Sequence, residues 1–331
     1  MKTLKYLLIV FLFPAFVLTS CKDEAADDAL PQFTILTDYL IAQDMDLDKI
    51  IKNADGEKFV TGAFPASDAE IDAWVAGYDI FDIRSADAFA DGHIITANNI
   101  AFTDILTQAE HATKPILVVC YTGQTACYAT ALLRLAGHDA QALKWGMSGW
   151  NADFDKWTQN LGNTADGHAN WSSSAAPQNQ FFNDPVISTS ATDGAGILAQ
   201  QISKVVSNGF KATGTDDEGK YDVLENPVNY HINNYFPGPD YTAFGHINGA
   251  YRILPLLLGD KSYQGLDPTG KNVTYCYTGQ TSAVVAAYLN VIGYEAYSLL
   301  FGMNGLNNSN SAWTVNQWGG DSNSKSLSYE D

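Results

Sequence analysis

The stretch ILVVCYTGQTACYATALLRL, Ile116 to Leu135, has a near twin in NVTYCYTGQTSAVVAAYLNV, Asn272 to Val291. Both contain CYTGQT, and the two cysteines, Cys120 and Cys276, stand 276 − 120 = 156 positions apart. A short hydrophobic run precedes each motif, and helix-like apolar spacing follows it. Each copy therefore reads as a strand, a tight glycine-containing loop and a helix. That order places a cysteine at a helix N-terminus twice in one chain.

Other landmarks recur in the same order. Gly92-His93-Ile94 returns as Gly245-His246-Ile247, and Gly146-Met147-Ser148-Gly149 as Gly302-Met303-Asn304-Gly305. Each Gly-Met segment begins 26 positions after its cysteine (146 − 120 and 302 − 276). Matched spacing across several landmarks predicts a duplicated fold rather than a repeated peptide. Alternation of β-rich runs with helical patterns predicts an α/β class, each copy a mainly parallel sheet flanked by helices. Tyr78 to Arg84 finds its echo in Lys220 to Leu224. On that alignment Asp82 to His93 spans 11 positions and Asp222 to His246 spans 24, a turn-rich insertion of 24 − 11 = 13 in the second copy. The polar Ser/Ala/Pro segment 163–184 reads as a linker between a first domain at 32–162 and a second at 185–320. The Gly/Ser/Asn-rich end, 321–331, reads as a disordered tail.

The chain of 331 residues is long enough for two substantial cores. Its net charge of −19, from 18 basic and 37 acidic residues, argues against a nucleic-acid surface. At the N-terminus Lys2 and Lys5 precede an apolar run from Tyr6 to Leu18, followed by Thr19-Ser20-Cys21. This is the order of an export signal, and the run is too short for a membrane span. Its LTSC ending resembles a bacterial lipobox. The resemblance implies that residues 1–20 are a signal peptide, that Cys21 is lipidated, and that acyl chains hold the protein at the membrane of the bacterial cell envelope, the outer membrane being favoured. An ordinary secreted protein cleaved nearby is the alternative. Residues 21–31 read as a flexible tether.

With Cys21 assigned to lipid, Cys120, Cys127 and Cys276 remain, an odd number, so at least one is a free thiol. No Cys-x-x-Cys and no His/Cys cluster predicts a metal site. Cys127 reads as a small buried hydrophobe, with a role as a resolving, disulfide-forming thiol toward Cys120 as the alternative.

Asp82-Ile83-Arg84, then Phe89 to Ile94 with its Gly-His-Ile, a strand ending in Cys120 and the closing Gly146 to Trp150 together resemble a rhodanese domain. The resemblance covers nearly all of the mature chain as two tandem rhodanese-like domains. It implies sulfur transfer without a cofactor: the loop cysteine accepts a sulfane sulfur as a persulfide and passes it to a thiol or cyanide. The partners implied are a small sulfur donor and a thiol acceptor. Where many family loops carry an arginine, this chain has Tyr121 and Thr125, and Tyr277 and Thr281. A non-catalytic binding or sulfur-sensing module is the alternative reading. A cysteine phosphatase is a poor fit, because Cys-x5-Arg would need arginine where Ala126 and Ser282 stand.

The chemistry asks for a thiolate, and a free cysteine with a pKa near ~8.5 is mostly protonated at neutral pH. A loop that opens a helix offers backbone N–H groups and the positive end of the helix dipole to a sulfur anion. Cys120 and Cys276 are thus the expected nucleophiles. Tyr121, Thr122, Gly123, Gln124 and Thr125, with Tyr277, Thr278, Gly279, Gln280 and Thr281, are the expected substrate-binding loops. Gly123 and Gly279 are expected at positive φ so that the amides converge. Thr125 and Thr281 are expected to cap their helices or donate to the sulfur. Tyr121 and Tyr277 wall the mouth or simply pack; Gln124 and Gln280 contact substrate or face solvent. His93 and His246 read as structural turn histidines.

Overall fold

The computed structural model describes residues 30–61 and 64–331, so the apolar leader, Cys21 and most of the expected tether lie outside the described residues. In the first half, β1 (Asp79–Asp82), β2 (Asn98–Asn99), β3 (Ile116–Val119) and β4 (Ala140–Ala142) form a parallel sheet in the order β2-β1-β3-β4. Four consecutive aliphatics suit β3 to a central place, and all four are buried. Val60 extends the far side through a parallel bridge to Ala142.

In the second half β5 (Trp171–Ser172) is an outlying strand. The sheet itself uses β6 (Ala212–Thr213), β7 (His231–Asn234), β9 (Asn272–Tyr275) and β10 (Ala296–Leu299), in the parallel order β6-β10-β9-β7. The remaining strand, β8 (His246–Ile247), pairs antiparallel with β5. Tyr251 bridges Asn233 at the β7 edge, as β2 lies beside β1. The halves thus have the same sheet, position for position. The fold is α/β, with parallel sheets flanked by helices.

The register corrects the sequence alignment. Asp82 lies opposite Val119 and Asn234 lies opposite Tyr275, each partner immediately preceding a loop cysteine. Asn234, not Asp222, is therefore the counterpart of Asp82. Asn234 to His246 spans 12 positions against 11 for Asp82 to His93, so the inferred 13-residue insertion disappears. The segment Lys220 to Leu224, aligned with Tyr78 to Arg84, instead runs into a helical turn at Asp222–Glu225. The reading failed because β7 is polar. Its buried Asn233 is satisfied by the backbone of Ile253, and Asn234 donates to the Tyr275 hydroxyl at 2.9 Å.

One core joins the halves. Helices Gln32–Ala42 and Gly194–Asn208 pack against each other, and the two helices that follow the cysteine loops, Gln124–Leu135 and Gln280–Val291, do the same. Leu36, Leu40, Leu132, Ile197, Ile202 and Leu289 meet in a single cluster between the two sheets. Both loop helices are buried on every side, only Thr125 and Thr281 being partly exposed, as expected of helices enclosed by other elements. Residues 31–331 form one compact unit.

The expected linker and tail are also built in. Ala165 is buried and Trp171–Ser172 belongs to a β-pair. The tail, expected to be disordered, runs back over the first half: Lys325 and Leu327 donate to the Gly149 and Trp150 carbonyls, and His93 and Glu330 exchange both backbone bonds. Leu327 is buried there and Tyr329 packs edge-on to Phe154, which a count of Gly, Ser and Asn could not show.

Candidate functional site: the two cysteine loops

Each strand ends at its cysteine, and the chain then turns through Gly123 (φ 81°) or Gly279 (φ 75°) into the loop helix. Only a left-handed residue lets the first helical amides swing back toward the sulfur. Cys120 Sγ accepts from the Ala126 N–H at 3.3 Å, and Cys276 Sγ from the Ser282 N–H at 3.4 Å. The Gly-Met segments complete the loops from behind: Met147 and Met303 donate to the Cys120 and Cys276 carbonyls, both at 2.9 Å.

The thiols are sheltered, Cys120 being 7% exposed and Cys276 3%. Burial pushes the Cys120 thiol above its ordinary range. The Ala126, Thr122 and Gly123 amides pull it back, and the Asp82 carboxylate adds to the rise. The amide cradle exists, yet in the closed protein it does not outweigh desolvation.

The second loop has a feature that the first lacks. Cys276 Sγ lies 3.7 Å from Ser282 Oγ, which is 2.8 Å from Ser298 Oγ, which donates to the Gly279 carbonyl at 3.1 Å. At the matching positions of the first half, Ala126 and Ala142 carry no hydroxyl. Sequence reasoning passed over Ser282 and Ser298. The sixth position after each cysteine differs between otherwise identical motifs, and that difference was the available signal.

Several expected site residues have other roles. The loop helices begin without any side-chain cap, so neither Thr125 nor Thr281 caps. Thr278 Oγ1 instead accepts from the Gln280 N–H within its loop. Gln124 and Gln280 do not face solvent. Both are buried, and each reaches into the opposite half: Gln124 Oε1 accepts from the Phe301 N–H at 2.7 Å, and Gln280 Nε2 donates to the Thr122 carbonyl at 3.1 Å. Thr122 Oγ1 also accepts from Gln124 Nε2 at 3.1 Å.

The loop tyrosines differ in company. Tyr121 has the Arg84 guanidinium 5.0 Å and Lys156 Nζ 5.5 Å from its ring centre. Tyr277 stacks on Phe236 at 4.3 Å and hydrogen-bonds Asp240 through its hydroxyl. Arg84 is itself buried, paired with Asp82 at 2.6 Å and donating to the Gly92 carbonyl at 2.7 Å. In the second half the Tyr275 hydroxyl accepts from both Asn234 and the Ile247 N–H, so it anchors the same turn without charge. His93 and His246 each stack on an aromatic, Phe89 at 3.8 Å and Tyr241 at 3.9 Å, with Nδ1 against a backbone carbonyl. Both histidines hold turns and stand apart from the sulfur atoms' hydrogen bonds. Cys127 is fully buried, and burial keeps its thiol well above the ordinary range. The three described cysteines are free.

Among known proteins, residues 67–153 match the family model of the rhodanese-like domain. No curated protein matches the chain. Of solved structures, a rhodanese-related protein from Thermoplasma volcanium is 20% identical over 25% of this chain and 86% of its own, with a TM-score of 0.23. A thiosulfate sulfurtransferase from Pseudomonas aeruginosa is 16% identical over 76% of this chain and 45% of its own, TM-score 0.26. A 3-mercaptopyruvate sulfurtransferase from Leishmania major is 13% identical over 74% of each chain, TM-score 0.26. At these scores the likenesses carry no inference about activity. The matched segment 67–153 contains the Cys120 loop and the Gly-Met helix behind it.

Proposed function

We propose that the chain is a sulfurtransferase of two rhodanese-like halves, with Cys120 and Cys276 as nucleophiles. The observation that carries this is the duplicated geometry of a thiol at the end of a central strand, aimed at the first amides of a twelve-residue helix. The thiolate would attack the outer sulfur of thiosulfate or a polysulfide-type donor. The donor's S–S bond breaks, and its electron pair leaves on the departing sulfite or shortened polysulfide. The product is a cysteine persulfide whose outer sulfur a thiol or cyanide then removes, returning the thiolate. The loop amides are suited to hold negative charge on the sulfur at both stages.

The leader and LTSC ending support placing this activity in the bacterial cell envelope, anchored through a lipid on Cys21, with the outer membrane favoured. A binding or sulfur-sensing module is the second reading, favoured by the depth of both thiols and the raised range of Cys120.

The test is incubation with thiosulfate, intact mass, then addition of cyanide with thiocyanate as readout. A gain of one sulfur per reactive cysteine and turnover are expected, and Cys120→Ser or Cys276→Ser should each remove one site's share. Loading without turnover to any thiol or cyanide would select the sensing module. No loading by thiosulfate or polysulfide would end the sulfur-transfer reading.

A further inference from the structure

The cross-loop glutamines raise a question that neither half answers alone. Gln280 belongs to the second half, yet its Nε2 donates to the Thr122 carbonyl of the first loop at 3.1 Å. It sits so close that a Cβ on Gly123 would lie 2.5 Å from that nitrogen. The Thr122 carbonyl and the Gly123 N–H belong to one peptide unit and point in opposite directions. Burial raises the Cys120 thiol and the Gly123 amide is among the groups that oppose the rise, while the Ala126 N–H, in the same turn, is the one within hydrogen-bond distance of Sγ. A donor on the carbonyl side polarises the peptide, strengthens its N–H as a donor, and fixes the plane that aims it.

We propose that Gln280 is a positioning residue for Cys120, acting across the two halves through the Thr122–Gly123 peptide. The first half's site is incomplete without the second. The inference deepens the sulfur-transfer reading and rests on it for its catalytic consequence, but not for the thiol's ionisation. Gln124 makes the reverse crossing to Phe301 N–H, the residue that opens the Gly302–Asn307 helix behind Cys276. It also bonds its own loop through Thr122, so Gln280 gives the cleaner test. The charged and titratable neighbours of the first loop are Asp82 with its partner Arg84, Cys127 on the loop helix, and Tyr121 with Lys156 above its ring.

The full chain, labelled with 13C at cysteine Cβ and assigned through single Cys→Ser variants, reports Cys120 ionisation with pH without a reagent having to enter the loop. Gln280→Leu and Gln280→Met each remove the donor at similar size. The control is Gln32→Leu, which breaks another contact between the halves, Gln32 with the backbone of Thr189 and Ala191, far along the chain from either loop. Loss of amide donation raises the pKa of an acid, so the Cys120 response should move up by about half to one pH unit in both Gln280 variants. Gln32→Leu should leave it in place. Persulfide loading of Cys120 by thiosulfate in a Cys276→Ser background should slow about threefold to tenfold with Gln280→Leu, in proportion to the lost thiolate. An unchanged Cys120 pH response in the Gln280 variants, or an equal change in Gln32→Leu, overturns the proposal. If neither thiosulfate nor polysulfide loads any variant, wild type included, the sulfur-transfer reading fails while the titration still decides the role of Gln280.

Discussion

Gly146 and Gly302 show how tightly the loops are built from behind. A Cβ on Gly146 would collide with the Cys120 carbonyl, and one on Gly302 with the Cys276 carbonyl; both residues also sit at positive φ, 61° and 50°. The close approach is what lets Met147 and Met303 donate to those carbonyls. Gly146→Ala should cost about 2–4 kcal/mol in urea denaturation, since backbone must shift and a side chain must take a left-handed conformation. The cost should come with slower loading at Cys120 and an unchanged rate at Cys276. Equivalent positions elsewhere use different chemistry for one task. Arg134 and Asn290, each 14 positions after its cysteine, donate to the Ala140 and Ala296 carbonyls, both at 2.7 Å. Residue identity had diverged while the geometric demand stayed, which is why only part of the duplication was legible at this scale.

Among the elements, β7 and the tail were the two most misread. A largely buried strand is expected to be apolar, and His231-Ile232-Asn233-Asn234 offers one such residue. Asn233 is tolerated because the backbone of Ile253 satisfies both ends of its amide, and Asn234 because its Nδ2 reaches the Tyr275 hydroxyl although its Oδ1 finds no partner, a fact about partners rather than about the strand. The tail's case is similar. Removing residues 324–331 would strip the backbone bonds to Gly149, Trp150 and His93 and the Trp150 Nε1 bond to the Ser328 carbonyl, and would expose the surface under Leu327. Truncation should lower stability by about 3 kcal/mol. Hydrogen exchange should report it as faster exchange at the His93 amide; a frayed tail would give no change in either.

At the scale of the whole molecule, half-buried His231 and buried His246 set an acid limit. Burial lowers the pKa of His231 and His246 below the ordinary 6.5, partly offset by backbone hydrogen bonds. Below about pH 6.5 the unfolded chain takes up protons that the folded chain resists, so stability present at neutral pH is lost as pH falls. Urea midpoints should therefore drop between pH 7.5 and 5, and the drop should shrink in the His231→Gln, His246→Gln double variant. Cys120 and Cys127 work in the opposite direction: burial raises their thiols above the ordinary cysteine range, so their share is lost as pH rises through that range.

The sequence alone determined the duplication, the α/β class, and the strand-loop-helix placement of Cys120 and Cys276, because those follow from local periodicity and from a glycine that can adopt positive φ. Tertiary structure alone decided the true partner of Asp82, the docking of the tail and the crossing of Gln124 and Gln280 between loops. Each of these depends on which distant group meets a buried polar atom. A side chain that satisfies a carbonyl 158 positions away, as Gln280 does for Thr122, leaves no periodic trace in the chain that carries it.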